Sequence, residues 1–272
     1  MKILIAADME GISGVVSWDH VDSSHAEYPR FRRIMTAEVN AAARAAFEAG
    51  ADEVIIADGH GSGLNILIEE LDARACLNSG NSAPYSMVQG IADDVQGVML
   101  IGYHACAGAT NAILDHTWTT RVANLWLNGA RLGETGLNAA LCGYFGAPVI
   151  MISGDQAVCA EAKALLGPLE IVTVKRATSR TSAECLPPEV TRKAIEETAI
   201  RAVRRLAKGD APPPYVLPAP IQIVVQFNES DMADRAMRLP EAKRLEDRQV
   251  EYVAEDMPTT YTAFRALAAL SR

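Results

Sequence analysis

Three short apolar runs, each breaking into a glycine-bearing segment that carries an acid or a histidine, limit the folds open to this chain. Lys2 to Ala7 (KILIAA) runs into DMEGISG, Asp52 to Ala57 (DEVIIA) into DGHGSG, and Gly97 to Ile101 (GVMLI) into GYHACAG. Nearly continuous apolar runs of this length are typical of strands buried on both faces. Between the first two, Phe31, Ile34, Met35, Val39, Ala42, Ala46 and Phe47 recur at helical spacing from about Pro29 to Ala49, and Gly50 supplies a stop. Further on, helices are expected near 134–145, 156–166 and 188–208, with strands at 149–153 and 170–175. Strands alternating with helices predict an α/β fold with a mostly parallel sheet flanked by helices.

The alternation is interrupted twice. From Ala112 to Leu132, β-rich segments flank Asn128-Gly129, the strongest short hairpin signal, so a β-hairpin insertion is expected there. Residues 209–220 (GDAPPPYVLPAP) then read as a proline-rich linker. Beyond it, strands at 221–227 and 250–253 and a helix at 259–270 form a small C-terminal α+β portion. The expected organisation is an α/β domain over 1–210 and a smaller α+β unit over 211–272. A chain of 272 residues can bury such a core without staples, and its five cysteines lie at irregular spacings with no CxxC pair. Reduced thiols and a cytoplasmic location are expected.

The charge balance excludes one class of partner. Lysine and arginine number 25 against 34 acids, a formal net charge of −9, which argues against nucleic-acid binding. Val95 to Leu114 and Thr135 to Gly154 lack charged residues, but both are interrupted by glycine and polar side chains, so no membrane span is expected. The first apolar run stops at Asp8, too early for a signal-peptide core.

Open parallel sheets place ligands at the carboxyl ends of their strands. Those ends carry Asp8 and Glu10, Asp58 and His60, and His104. Histidine and carboxylate are zinc ligands, and two carboxylates two residues apart repel unless a cation lies between them. Glu134 opens a helix, where the dipole alone favours an acid. His116 sits in LDHTW on an expected strand with Asp115 on the opposite face, and His20 and His25 lie in a polar loop and read as surface groups. Arg180, in TSRTS, either pairs with a substrate carboxylate or caps the preceding strand. Gly59-His60-Gly61-Ser62-Gly63 lacks the lysine of a phosphate loop, and no GxSxG elbow is present.

At these residues the sequence resembles the D-aminopeptidase family of binuclear zinc metallopeptidases. The likeness is carried by AADMEGISG, DGHGSGLN, PYSMVQG, GYHA, GETGLNA, SGD at 153–155 and SRTSAECLPP, in family order, over most of residues 1–210. Ala6 departs from it, standing where the family usually has serine. The resemblance implies that Asp8, Glu10, His60, His104 and Glu134 hold two zinc ions per chain, with Asp8 bridging. It implies that His116 is catalytic, either handling protons and the oxyanion or attacking directly, and that the chain forms a ring-shaped homodecamer. The function expected is release of N-terminal, D-configured residues from short peptide substrates. Two other readings are a dinuclear metallophosphoesterase, for which no basic phosphate clamp is evident beside the cluster, and a non-catalytic peptide-binding protein linked to uptake.

Overall fold

The computed structural model describes every residue except Ser82. In chain order its strands and α-helices are β1 (Lys2–Ala7), α1 (Tyr28–Glu48), β2 (Glu53–Asp58), β3 (Cys76–Asn78), β4 (Gly97–Tyr103), β5 (Val122–Leu127), β6 (Ala130–Arg131), α2 (Glu134–Tyr144), β7 (Val149–Asp155), α3 (Gln156–Leu166), β8 (Glu170–Ser179), β9 (Ser182–Cys185), α4 (Pro188–Ala207), β10 (Ile221–Phe227), α5 (Ser230–Ala236), β11 (Lys243–Glu246), β12 (Gln249–Ala254) and α6 (Met257–Leu270). The larger sheet has the order β3-β2-β1-β4-β7-β8-β9 and is parallel except for β9, which returns antiparallel along β8. The α/β expectation is met.

Why these runs become central strands follows from their burial. Ile3, Ile5 and Ala7 of β1 pack into one core with α1 and α4, while Leu4 and Ala6 enter the other, shared with α2, α3 and the second sheet. Both faces exclude water, so neither can be polar. After β1 the chain builds β2 and β3 on one side and then crosses to β4 on the other. The crevice between the ends of β1 and β4 is therefore a topological switch point, the place where open α/β sheets bind ligands.

The hairpin turns where expected, with Asn128 and Gly129 both at positive φ, 46° and 80°. Its first strand starts only at Val122, however, so His116 lies in a loop and not on a strand. β5 pairs antiparallel with β10, giving a second sheet of order β11-β12-β10-β5-β6. Hairpin and C-terminal strands thus share one sheet. Asn128 reinforces the join, its side chain accepting from Gln222 N at 2.8 Å and donating to the Pro218 carbonyl at 3.0 Å. Among the described residues no helix is long and apolar enough to cross a membrane.

One buried acid on α1 carries a cost. Glu38 is fully buried; Oε1 accepts from Ser13 N and Thr191 Oγ1, while Oε2 has no partner among the described residues. Burial pushes its carboxyl up despite Ser13. An acid whose pKa is raised by folding holds its proton more tightly in the native state, so stability falls as pH climbs from the unfolded to the folded value and stays lower above it. Glu38→Gln, stripped of metal, is expected to be about 1 kcal/mol more stable than similarly stripped wild type at neutral pH. That advantage should vanish near pH 4, and equal melting temperatures at both pH values would refute it.

Candidate metal centre

Asp8, Glu10, His60, His104, His116 and Glu134, the residues to which the family resemblance assigns roles, converge at the switch point. The segment after β1 presents Asp8 and Glu10, and it can lie against β4 because residue 11 is glycine: a Cβ there would fall 1.9 Å from the Tyr103 carbonyl oxygen. β2 ends in the loop carrying His60, β4 leads directly into His104, and α2 begins with Glu134. Asp8, Glu10, His104 and Glu134 are each 4% exposed or less.

The histidines are oriented by a shared device. His60 Nε2 lies 3.0 Å from the Val21 carbonyl, His104 Nδ1 3.1 Å from that of Ala105, and His116 Nδ1 2.8 Å from that of Leu114. A carbonyl only accepts, so each of these nitrogens carries the proton, and in the neutral ring the other nitrogen offers a lone pair. Those free nitrogens face carboxylates. His60 Nδ1 is 3.3 Å from Asp8 Oδ1 and 3.1 Å from Glu10 Oε2. His104 Nε2 is 3.3 Å from Asp8 Oδ2 and 3.2 Å from Glu134 Oε1. His116 stacks on His104 with ring centres 3.9 Å apart and puts Nε2 3.8 Å from Glu10 Oε1 and from Glu134 Oε1.

Three carboxylates crowded out of water repel one another and need cations. Without metal, protonated histidines supply them. Burial pushes the Asp8 carboxyl up, but the adjoining His104 and His60 rings outweigh it and leave it well below the usual range. Burial acts on His60 and His104 in the opposite direction and is likewise overcome, by Glu10 and Asp8 for one ring and by Glu134 and Asp8 for the other, so both are held well above the ordinary histidine value. Even so, His104 Nε2 is buried without a hydrogen bond among the described residues, although two carboxylate oxygens lie within 3.3 Å. The contacts are close but poorly directed for an N–H donor. A divalent cation among these atoms accepts the lone pair of a neutral ring instead and satisfies all the carboxylates together. Ligand atoms of Asp8, Glu10 and His104 lie within 4.8 Å of one another, as do those of His104, His116 and Glu134. The donor set fits divalent metal.

Further residues support the cluster, and Lys175 among them gives no signal in the sequence. Lys175, 1% exposed, donates from Nζ to the carbonyls of Glu10, Ile12 and Val15 at 2.6, 2.9 and 2.6 Å. Burial lowers its pKa to about 8, so the ammonium remains charged at neutral pH, fixing the segment that carries Glu10. Asp58, at the end of β2, accepts from Asn65 N and Ile66 N at 2.6 and 2.8 Å, while Asn65 Nδ2 donates to the His60 carbonyl at 2.7 Å. It shapes the His60 loop. Arg180 is engaged within the chain: its Nε donates to Asp115 Oδ1 at 2.7 Å and Nη2 to the Asp115 carbonyl at 2.8 Å, tethering the loop that holds His116. His20 is half-buried and stacked on Phe31 at 4.0 Å, against the expectation of a surface group, whereas His25 is exposed.

A cavity of about 800 Å³ opens onto the cluster, lined by Asp8, Glu10, His60, His116 and Glu134 on one side and by Arg121 and α6 on the other. Residues 1–266 match the sequence profile of the D-aminopeptidase family, past the point where the motif likeness thins. The chain is similar to the D-aminopeptidase of Bacillus subtilis (strain 168), with 33% identity over 272 residues, covering 100% of this chain and 98% of that one. Among solved structures it is similar to the Zn-dependent D-aminopeptidase DppA from Bacillus subtilis, a self-compartmentalizing protease, with a TM-score of 0.96, 33% identity, and coverage of 100% of this chain and 98% of the other. A profile match along nearly the whole length, together with a relative alignable from end to end, means that the chain belongs to the D-aminopeptidase family.

Proposed function

We propose that this chain is a zinc-dependent aminopeptidase that releases N-terminal D-amino acids from short peptides through a dinuclear site. One observation carries the dinuclear reading: the two oxygens of Asp8 face different histidines, Oδ1 towards His60 and Oδ2 towards His104. A carboxylate divided in this way suits a bridge, with Glu10 and His60 completing one site and His104 and Glu134 the other. Zinc bound there would polarise the scissile carbonyl and make water a competent nucleophile near neutral pH. The chain's own contribution is positional. His116, anchored through Nδ1, takes or gives a proton at Nε2, which stands 3.8 Å from Glu10 Oε1 and from Glu134 Oε1. Trp18, edge-on to His116 at 5.3 Å, restricts how that ring turns.

The assembly proposed is a homo-oligomer, a decamer by family resemblance, working in the cytoplasm on peptides. The deciding experiment incubates zinc-loaded protein with D-Ala-D-Ala, L-Ala-L-Ala and a phosphate ester, with and without chelator. Chelator-sensitive release of D-alanine is expected. Phosphate release would replace the reading with a phosphoesterase, and peptide binding without turnover would replace it with a binding protein. Light scattering on the same sample should show a particle ten times the mass of one chain.

A further inference from the structure

The cavity beside the metal centre has two poles. Every acid in its lining, Asp8, Glu10 and Glu134, belongs to the metal cluster; the far wall carries Arg121, Arg265 and Arg272 instead. Arg121 immediately precedes β5 and is half-buried. Its guanidinium donates to neutral oxygens, Nε to Ser271 Oγ at 3.2 Å and Nη2 to the Ala268 carbonyl at 3.4 Å, which fix it on the end of α6. Among the described residues no carboxylate forms an ion pair with it. Burial and the nearby charges of Arg272 and Arg235 push its pKa down, although Arg235 is itself paired with Asp231 at 2.6 Å. A guanidinium has five donors in a fork that matches a carboxylate, and the rest of this fork is available to one.

We infer that Arg121, assisted by the charges of Arg265 and Arg272, is a subsite for the free C-terminal carboxylate of the peptide. The inference rests on the aminopeptidase reading and deepens it: the amino terminus goes to the metal and acid pole, the carboxyl terminus to the arginine pole. Residues 116 to 121 join the two poles along the cavity wall, since His116, Trp118, Thr119, Thr120 and Arg121 all line it. Five residue steps reach at most about 18 Å when fully extended. That bounds the spacing of the backbone positions carrying the two poles, and the turned Thr117–Thr119 stretch shortens it further, so the two charged ends suit a short, unblocked peptide. Trp118 keeps the separation fixed, because its amide donates to Glu134 Oε1 at 2.5 Å while its ring packs edge-on against Tyr261 and Phe264 of α6 at 6.0 and 5.4 Å.

The test compares an alanine dipeptide of the stereochemistry turned over fastest with its C-terminal amide, on the zinc-loaded full-length protein and on Arg121→Gln. A charge-assisted pair is expected to favour the free acid over the amide by roughly ten- to hundredfold in kcat/KM, expressed mainly in KM. In Arg121→Gln the ratio should collapse towards one, with partial recovery in Arg121→Lys. Wild-type protein that cleaves acid and amide alike, or Arg121→Gln that keeps the preference, overturns the inference. Calorimetric titration with the same two compounds separates this failure from that of the aminopeptidase reading. Tighter binding of the acid that is lost in Arg121→Gln supports the subsite even if neither compound is cleaved, and equal binding sinks it whatever the turnover.

Discussion

His116→Ala is expected to lower kcat by about 10²- to 10⁴-fold while two zinc ions remain bound per chain. The argument is geometric. The His116 ring is tied to the Leu114 carbonyl through Nδ1, and its Nε2 stands 3.8 Å from the nearest carboxylate oxygens, farther than the 3.1–3.3 Å at which His60 and His104 meet theirs. It borders the ligand set and points into the cavity. The ring also stacks on His104, so His116→Gln, which fills more of the space, is the steric control. Single-turnover rates and metal content by mass spectrometry read the two effects separately. A fall from two bound metals to one would move His116 into the coordination sphere beside His104 and Glu134, whose ligand atoms lie close enough to admit it.

Asp8→Asn is expected to strip both metals, the largest binding defect of any single substitution in the site. Glu10 and Glu134 each face one histidine of the pair His60 and His104, whereas Asp8 faces both. Altering a residue that merely orients a ligand weakens metal affinity by about 10- to 100-fold, and a shared ligand should exceed that at both positions. Glu10→Gln and Glu134→Gln should each empty one position and weaken the other less. Zinc titrations on the three variants provide the check. If Asp8→Asn keeps one metal at wild-type affinity, the bridge is wrong.

Much of this was legible in the chain itself, for identifiable reasons. β1, β2 and β4 are buried on both faces, which forces continuous apolar runs, and their ends face the crevice where polar ligands collect, so Asp8, Glu10, His60 and His104 stand out against their neighbours. Edge strands β3, β9 and β11 bury little and carry no such run. The pairing of β5 with β10 joins segments about a hundred residues apart, and local periodicity holds no record of a partner so distant. The β-branched run around His116 suggests a strand, yet the Arg180 tether to Asp115 holds that stretch as a loop. Asp58 shares every local signal with Asp8. Only the position of Asn65, which turns its carboxylate into a loop brace, separates their roles.

The ammonium of Lys175 among three carbonyls has a kinetic consequence. Because a covalent part of the chain holds the Glu10 segment, emptying the centre removes none of that support, and the apoprotein should keep one wall of its coordination sphere assembled. Reloading then becomes a matter of ion delivery and proton release instead of segment ordering, so exchange between different divalent metals should be fast compared with any unfolding of the chain.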